Sequence, residues 1–181
     1  MIPYFSQFIR NRTTLACALL CFASGASGAS AKYNDDDLMA VYLYRFALLS
    51  DWHQTGVATR PVEFCVTEES GVSRRLHDIV LTKSDIATYD NIAQDASSSI
   101  CHVLYVNEAN EEQVAQLKRN YPHALLVGTG AAFIQYGGMI AFVKVNNRIK
   151  PMISRENVAP SLIRLRSQLL SVAILTNEEE A

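Results

Sequence analysis

A glycine-rich run at positions 128–133, Gly-Thr-Gly-Ala-Ala-Phe, is the segment whose residue types most directly suggest chemistry. It follows a short apolar run and precedes a predicted helical turn, and a glycine turn placed there can hold a phosphate on backbone N–H groups. The dinucleotide-binding pattern needs glycine or alanine at its sixth position, where this chain has Phe133. The sequence therefore favours a structural turn over a nucleotide site.

The side chains that commonly act as nucleophiles, acids, bases or metal ligands show no catalytic spacing. The chain has no G-x-S-x-G motif. Its four histidines are scattered, without the spacing of metal ligands: His53, His77, His102 and His123. The carboxylate pairs Asp85 with Asp90 and Glu68 with Glu69 are most simply exposed loop acids. We therefore predict no catalytic residue, no metal site and no cofactor.

The first 31 residues have the pattern of a secretory signal peptide. Arg10 and Arg12 precede an apolar run at 15–23, and Ala29-Ser30-Ala31 fits a cleavage site. A retained transmembrane helix is the alternative, but the apolar run is shorter than the roughly 20 residues that a membrane crossing needs. We predict export with cleavage after Ala31.

Residues 32–181 are of a size that suits one domain with its own hydrophobic core. Of the 16 basic and 18 acidic residues in the whole chain, two basic and no acidic ones precede position 32, which leaves a formal charge of −4. A mildly acidic chain argues against a nucleic-acid partner. No later segment is long and apolar enough to span a membrane.

Cys65 and Cys101 are the two cysteines that follow the predicted signal peptide. An even number of cysteines in an exported protein suggests a disulfide, which would stabilise the fold by on the order of 4 kcal/mol. Two separate buried thiols are the alternative.

A predicted first helix at 38–52 is apolar on nearly every side. A helix without a polar face must be covered on more than one side. Burial in the domain core would explain this composition. The alternative is that part of the helix, especially Tyr42, Phe46 and Trp52, binds a second subunit or a partner.

Strands and helices then alternate along the chain. The predicted strands lie at 62–67, 100–106 and 124–127, with a further short strand inside 82–92, and the predicted helices lie at 71–81 and 109–120. Such alternation is typical of a parallel sheet covered by helices on both faces. We predict an α/β fold, a single three-layer α/β/α domain with a mainly parallel sheet and an antiparallel edge hairpin.

The edge hairpin is predicted from two β-rich runs, 139–145 and 148–153, that are separated by Asn146-Asn147. Pro151 cannot donate to a strand ladder, so the second run should be an edge or irregular strand. This edge could present a surface to a partner, and we take Arg148 and Met152 as its candidate binding residues.

A closing helix is predicted at 158–174, with Asn157 as its cap. Apolar residues recur there at spacings of four and three: Val158, Leu162, Leu165, Leu169 and Val172. Such a stripe usually packs on a core, and a helix-pairing dimer seam is the alternative.

Three segments together resemble the YfiR family of bacterial periplasmic proteins. They are MAVYLYRFALLSDW at 39–52, CHVLYV at 101–106, and LLVGTGAAFIQYGGMIAFVKVNNRIKPMISRENVAPSLIRLRSQLL at 125–170. An aromatic helix ending in Trp, followed by G-[DT]-x-x-x-F-x-x-x-G-G-M-I-x-F and a spaced leucine ladder, is the pattern that carries the resemblance. The match is weakest between Gly71 and Ser99.

The resemblance implies a non-enzymatic regulator located in the periplasm. The best-understood member binds the periplasmic sensor domain of an inner-membrane diguanylate cyclase and represses cyclic-di-GMP synthesis, which affects biofilm formation. An outer-membrane lipoprotein sequesters that member. The resemblance further implies a homodimer and a disulfide between Cys65 and Cys101. The family member's second disulfide, near 133–139, has no counterpart here because this chain has no cysteine in that region.

The alternative function is a periplasmic small-ligand sensor or solute-binding component. Ligands of open parallel sheets bind outside the carboxyl ends of the strands. In this chain we expect such a site near Gly128 and Gly130.

Overall fold

A seven-stranded sheet runs through the part of the chain that the computed structural model describes, residues 34–93 and 100–176. In chain order, the first described half forms α1 (Asp35–Leu48), β1 (Ser50–Asp51), β2 (Val62–Val66), α2 (Gly71–Leu81), β3 (Ala87–Asn91), β4 (Val103–Tyr105) and α3 (Glu111–Asn120). The rest of the chain forms β5 (Leu125–Thr129), α4 (Ala132–Gln135), β6 (Ile140–Val145), β7 (Arg148–Ser154), α5 (Arg155–Val158), a 3₁₀ helix (Ala159–Ser161), β8 (Arg164–Leu165), α6 (Ser167–Leu170) and β9 (Ile174–Thr176). The predicted signal peptide, residues 1–31, lies outside the described residues.

The strand order of the large sheet is β3-β2-β4-β5-β6-β7-β9, and only the β6–β7 pair is antiparallel. β1 and β8 form a separate two-stranded antiparallel sheet. The prediction of an α/β fold with a mainly parallel sheet and an antiparallel hairpin is confirmed. β9 adds one more strand outside β7, but it pairs only with Met152–Ser154, so Pro151 lies just beyond its ladder.

Helices cover both faces of the large sheet. Phe46 of α1 stacks on Phe142 of β6, and His77 of α2 stacks on Tyr89 of β3, which places both helices on the face formed by Phe142 and Tyr89. Side chains alternate between faces along a strand. Leu126, one position along β5 from residues of the α1 face, therefore points to the opposite face, where it lines a cavity with Leu117 of α3.

α1 ends at Leu48, four residues earlier than the sequence predicts. Three aspartates occupy its first turn, where carboxylates interact favourably with the positive end of the helix dipole. The helix stops because the following residues, Ser50 and Asp51, pair with β8. Its unusual apolar character is explained by contacts with both α2 and the sheet.

Side-chain caps define the start of α2 and α3. Ser70 accepts a hydrogen bond from the backbone N–H of Ser73, and Asn110 accepts one from Gln113, each at 3.0 Å. α2 spans the predicted residues, whereas α3 begins at Glu111, two residues later than predicted. Asn107, which precedes this helix, accepts a hydrogen bond from the Tyr105 hydroxyl.

The predicted closing helix at 158–174 is wrong. That segment forms short elements instead: the end of α5, the 3₁₀ helix, β8, α6 and β9. Pro160 lies in the 3₁₀ helix, and Leu162 follows in the left-handed region with φ of 62°, so a continuous helix is interrupted. Leu162 and Val172 are each 53% exposed, whereas Leu169 is buried, so the leucines do not share one face. The described residues 158–174 therefore contain no long helix, so the alternative of a helix-pairing dimer seam in this segment is also wrong.

None of the helices within 34–93 and 100–176 has both the length and the hydropathy that crossing a membrane would require.

Candidate functional site

The ring of Phe133 fills the glycine-rich corner after β5, residues 128–138, which we call the glycine corner. A Cβ atom on Gly128 would lie 2.6 Å from the Phe133 ring, and a Cβ atom on Gly138 would lie 2.2 Å from it. These separations are far shorter than a carbon–carbon contact at its optimum, about 3.5–4.0 Å. The two glycines therefore allow Phe133 to pack against the backbone on both sides. Packing against this ring therefore accounts for both glycines.

Asn157 links the same corner, through hydrogen bonds, to the segment that follows β7. Its side-chain amide donates to the carbonyl oxygens of Ile134 at 2.9 Å and Gly138 at 2.8 Å. The sequence analysis assigned Asn157 to a helix cap, a role that Ser154 performs for α5 by accepting from the Asn157 N–H. Asn157 thus holds the glycine corner in place.

Cys65 and Cys101 form a disulfide, with a Cα–Cα distance of 5.7 Å, and both residues are buried. This confirms the predicted pairing. Cys65 lies in β2, the strand next to the edge strand β3, and Cys101 comes just before β4. The bond therefore ties the chain entering β4 to the neighbouring strand.

Phe46 and Trp52, two of the predicted partner-binding residues, are buried in the core. Phe46 is fully covered and Trp52 is 2% exposed. The Trp52 indole N–H donates to the carbonyl oxygen of His123 at 3.0 Å, and its ring meets the ring of His102 edge to face. For these two residues the structure agrees with the alternative of core burial, so neither offers its side chain to a partner in this conformation.

The sequence analysis missed the structural role of His102, which is buried next to Trp52. Its Nδ1 accepts from the backbone N–H of Glu63 at 3.0 Å, so the ring proton is on Nε2, which donates to the carbonyl oxygen of Ala58 at 2.7 Å. The ring thereby joins β2 to the loop before it. An isolated histidine in an apolar run has no sequence signal for such a role.

The other three predicted partner-binding residues do not form one surface. Tyr42 is half-buried on α1, where its ring contacts those of Phe46 and Phe142. Arg148 is exposed at the start of β7. Met152 is half-buried and, by strand alternation, points to the face opposite α1. Tyr42 and Met152 are therefore on opposite sides of the sheet.

The side of the sheet that carries Tyr42 also carries ion pairs from the acidic first turn of α1. Lys144 of β6 lies 2.8 Å from Asp35, and Arg75 of α2 lies 3.1 Å from Asp37. These side chains are about half exposed, and such pairs contribute roughly 0–1 kcal/mol each. They join the first turn of α1 to β6 and to α2.

Three groups have shifted pKa values. The backbone N–H of His53, together with its ring, hydrogen-bonds the Asp51 carboxylate and holds the pKa of Asp51 below its usual value. Burial raises the pKa of Tyr89, and the Glu69 carboxylate adds to that effect. Burial also raises the pKa of Tyr105, with smaller contributions from Asp36 and Glu68. The first of these groups is solvent-exposed, and the other two are held as neutral phenols.

A cavity of about 400 Å³ opens at a different part of the carboxyl edge from the one predicted. It lies beyond the ends of β2, β3 and β4, where Thr67, Ile92 and Val106 line it, and α3 forms its wall. The predicted position near Gly128 and Gly130 is not part of its lining. Within the described residues, no three histidine, cysteine or carboxylate side chains come together in a way that could hold a metal ion.

Comparison with known proteins identifies the family. A family model described as YfiR/HmsC-like matches residues 36–174, from the first turn of α1 to the start of β9. The comparison with curated proteins found no significant match. The family model covers more than half of the 181 residues and includes the glycine corner, the disulfide and the hairpin. The chain belongs to the YfiR/HmsC-like family.

Proposed function

We propose that the protein is a periplasmic, non-enzymatic regulator that binds and represses the periplasmic sensor domain of an inner-membrane diguanylate cyclase, thereby lowering cyclic-di-GMP. The observation that carries this proposal is the family match across residues 36–174. The Cys65–Cys101 disulfide supports a location outside the cytoplasm, because disulfides persist in oxidising compartments. Export through the signal peptide at 1–31, cleaved after Ala31, is part of the proposal.

A binding role is favoured over a catalytic one by the packing of the glycine corner. This corner was the one motif whose residue types suggested chemistry, and Phe133 occupies it. The glycines are therefore accounted for by packing, without a phosphate or a nucleotide. What the corner supplies is a rigid support for β5, β6 and the hairpin.

We place the sensor contact on the exposed parts of α1 and the hairpin. Tyr42 keeps some accessible surface on the face that carries α1. Arg148 is exposed and Met152 is half-buried, and strand alternation places both on the other face, so the proposed contact extends around the hairpin. Phe46 and Trp52 act beneath this surface, because Phe46 stacks against Tyr42 at a centroid distance of 5.9 Å and Trp52 anchors the chain after α1. Aromatic and arginine side chains are the ones most often found at the energetic centre of protein interfaces.

The experiment is deletion of the gene with measurement of cyclic-di-GMP and biofilm. We expect both to rise, and we expect crosslinking in the envelope to recover an inner-membrane sensor protein. Reintroduced Tyr42→Ala or Arg148→Glu should fail to restore repression at wild-type protein levels. Arg74→Glu, an exposed arginine of α2, is the matched control and should restore it. Unchanged cyclic-di-GMP without a recovered envelope partner would contradict the proposal.

Two finer partners belong to the same proposal, a second copy of the chain and an outer-membrane lipoprotein that sequesters the protein. Light scattering of the purified protein measures the first. Crosslinking in outer-membrane fractions measures the second. A monomeric mass at all concentrations, or crosslinks confined to the inner membrane, would remove the corresponding partner.

A further inference from the structure

The direction in which the chain winds through the sheet changes between β2 and β4. From β2 the chain passes through α2 to β3 on one side, and it then returns across β2 to β4 on the other side. At such a reversal the connections after adjacent strands leave in opposite directions, and the crevice between them is where open α/β sheets bind ligands. The cavity of about 400 Å³ lies at this point. Its volume is within the range of roughly 300–1,000 Å³ that is usual for small-molecule sites.

The base of the cavity is apolar. Val106, which follows β4 and is 3% exposed, lines it together with Ile92 and the half-buried side chains of Leu117 and Tyr121 from α3 and its end. Val114 of α3 is fully buried, whereas Leu117 is half-buried and lines the cavity. The exposed part of Leu117 is therefore available to cover the apolar part of a ligand.

The rim of the cavity is polar and negatively charged. Glu68 and Glu108 are exposed there, and neither carboxylate has an ion-pair partner among residues 34–93 and 100–176. Among the same residues, no lysine or arginine lines the cavity. A concave site with carboxylates and no nearby cation concentrates positive charge.

One face of α3 supplies hydrogen-bonding groups to this cavity. The cavity is lined by four residues of α3 that recur at the spacing of one helical face: Gln113, Gln116, Leu117 and Asn120. Gln113 is engaged in the capping box with Asn110. The side-chain amides of Gln116 and Asn120 have no hydrogen-bond partner among the described residues, so both can bond a ligand.

We propose that this cavity binds a small organic amine. The protonated amino group interacts with the carboxylates of Glu68 and Glu108. The apolar body rests on Val106 and Leu117, and polar substituents of the ligand bond to the amides of Gln116 and Asn120. This site does not depend on the proposed sensor partner, since Tyr42, Arg148 and Met152 are not among its lining residues.

The test compares two probes of the same ring and opposite charge, tyramine and 4-hydroxyphenylacetate. Two-dimensional amide NMR spectra of the purified protein are recorded during titration with each, up to about 10 mM, above the millimolar dissociation constants expected of fragments. We expect tyramine to shift the amide signals of Thr67, Val106 and Gln116. We expect 4-hydroxyphenylacetate to leave them unchanged. Equal shifts with both probes, shifts confined to other regions, or no shifts would overturn the proposal.

Variants separate charge recognition from general binding. Glu68→Gln and Glu108→Gln should each weaken tyramine binding by up to about fivefold, the effect of losing one solvent-exposed ion pair. Glu156→Gln makes the same change of net charge in α5, away from the cavity, and should bind tyramine as the wild type does. Gln116→Lys puts a cation at the cavity and should abolish tyramine binding without lowering the melting temperature. Unaltered affinity in the two glutamate variants would likewise overturn the proposal.

Discussion

β5 and β4 are neighbouring strands, yet a side chain fills the space beyond the carboxyl end of β5, whereas the space beyond the carboxyl end of β4 is open. Beyond β5 the chain turns at Gly130 and places the Phe133 ring against Gly128 and Gly138. Beyond β4 and β2 the chain leaves a cavity with Val106 at its base. The filled end has a conspicuous glycine pattern in the sequence, whereas the open end has none. Gly128 and Gly138 thus mark where the backbone approaches a ring, and the absence of a covering side chain beyond β4 leaves room for a ligand.

The largest loss of stability should come from removing the ring that fills the space beyond β5. Phe133→Ala removes a ring that is 2% exposed and leaves a void between two glycines. We expect the free energy of unfolding to fall by about 3–5 kcal/mol, as for other buried phenylalanines, measured by urea denaturation. Phe133→Leu restores part of the volume and should lose less. A loss below about 1 kcal/mol for the alanine variant would show that the corner does not depend on this ring.

The next largest loss of stability should come from breaking the disulfide that ties the chain entering β4 to β2, the two strands whose far ends border the cavity. Replacing both Cys65 and Cys101 by alanine should lower the free energy of unfolding by about 2–4 kcal/mol, because the unfolded chain regains the entropy that the bond removes. Reductant should lower the melting temperature of the wild type and leave that of the double variant unchanged. Two free thiols in the intact mass of the purified protein would mean that the disulfide does not form.

A smaller effect is expected from removing a side chain that lines the open end. Leu117→Ala should lower the free energy of unfolding by at most about 1.5 kcal/mol, because its side chain is only half-buried at the cavity. Leu125→Ala, the same change at a fully buried position of β5, should lower it by about 2–5 kcal/mol. Equal losses in urea denaturation would mean that the cavity is closed in solution.

The smallest effect on stability should come from ionising the phenols of Tyr105 and Tyr89, which lie near the open end. Burial raises the pKa values of Tyr105 and Tyr89, so their contribution to stability is fully present below the unfolded-state pKa of about 10 and is lost as pH rises through the folded-state values. The free energy of unfolding should therefore decline above about pH 10. Tyrosinate absorbance followed from pH 8 upward should show part of the tyrosines titrating only on unfolding. Tyr105→Phe should reduce the decline, and an unchanged profile would contradict this assignment.

The regular half of the chain could be predicted from its sequence because local signals and tertiary structure agree there. Ser70 and Ser73 cap α2 where the apolar spacing begins, and Asn146-Asn147 joins β6 to β7 with both residues at positive φ. Alternating strands and helices then leave few arrangements other than a parallel sheet. The disulfide could be expected from an even number of cysteines in a chain predicted to be exported, and the structure decides between it and two separate thiols.

The segment 155–176 could not be predicted in the same way, because its apolar spacing matches a helix that the backbone does not form. Leu162 adopts a left-handed conformation that interrupts the helix, and β8 pairs with β1, which lies more than a hundred positions earlier in the chain. Tertiary contacts override local helix propensity in such cases. The same limit applies to Trp52, since an exposed interface aromatic and a buried anchor look alike in a sequence.

The cavity could not be found from the sequence because its lining is distributed over β2, β3, β4 and α3. Glu68 and Glu108 are ordinary loop acids when they are considered singly, and Gln116 and Asn120 are ordinary residues of an exposed helix face. Only the strand order brings these groups together, and strand order is a property of the whole chain.

The position of β9 determines when the outer edge of β7 becomes paired during synthesis of the chain. β9 consists of Ile174–Thr176, and it covers the edge of β7 at Met152–Ser154. A growing chain therefore keeps this edge unpaired until Ile174–Thr176 has been made. Unpaired strand edges recruit strands from other molecules. A chain truncated before Ile174 would leave this edge uncovered, and self-association would compete with folding.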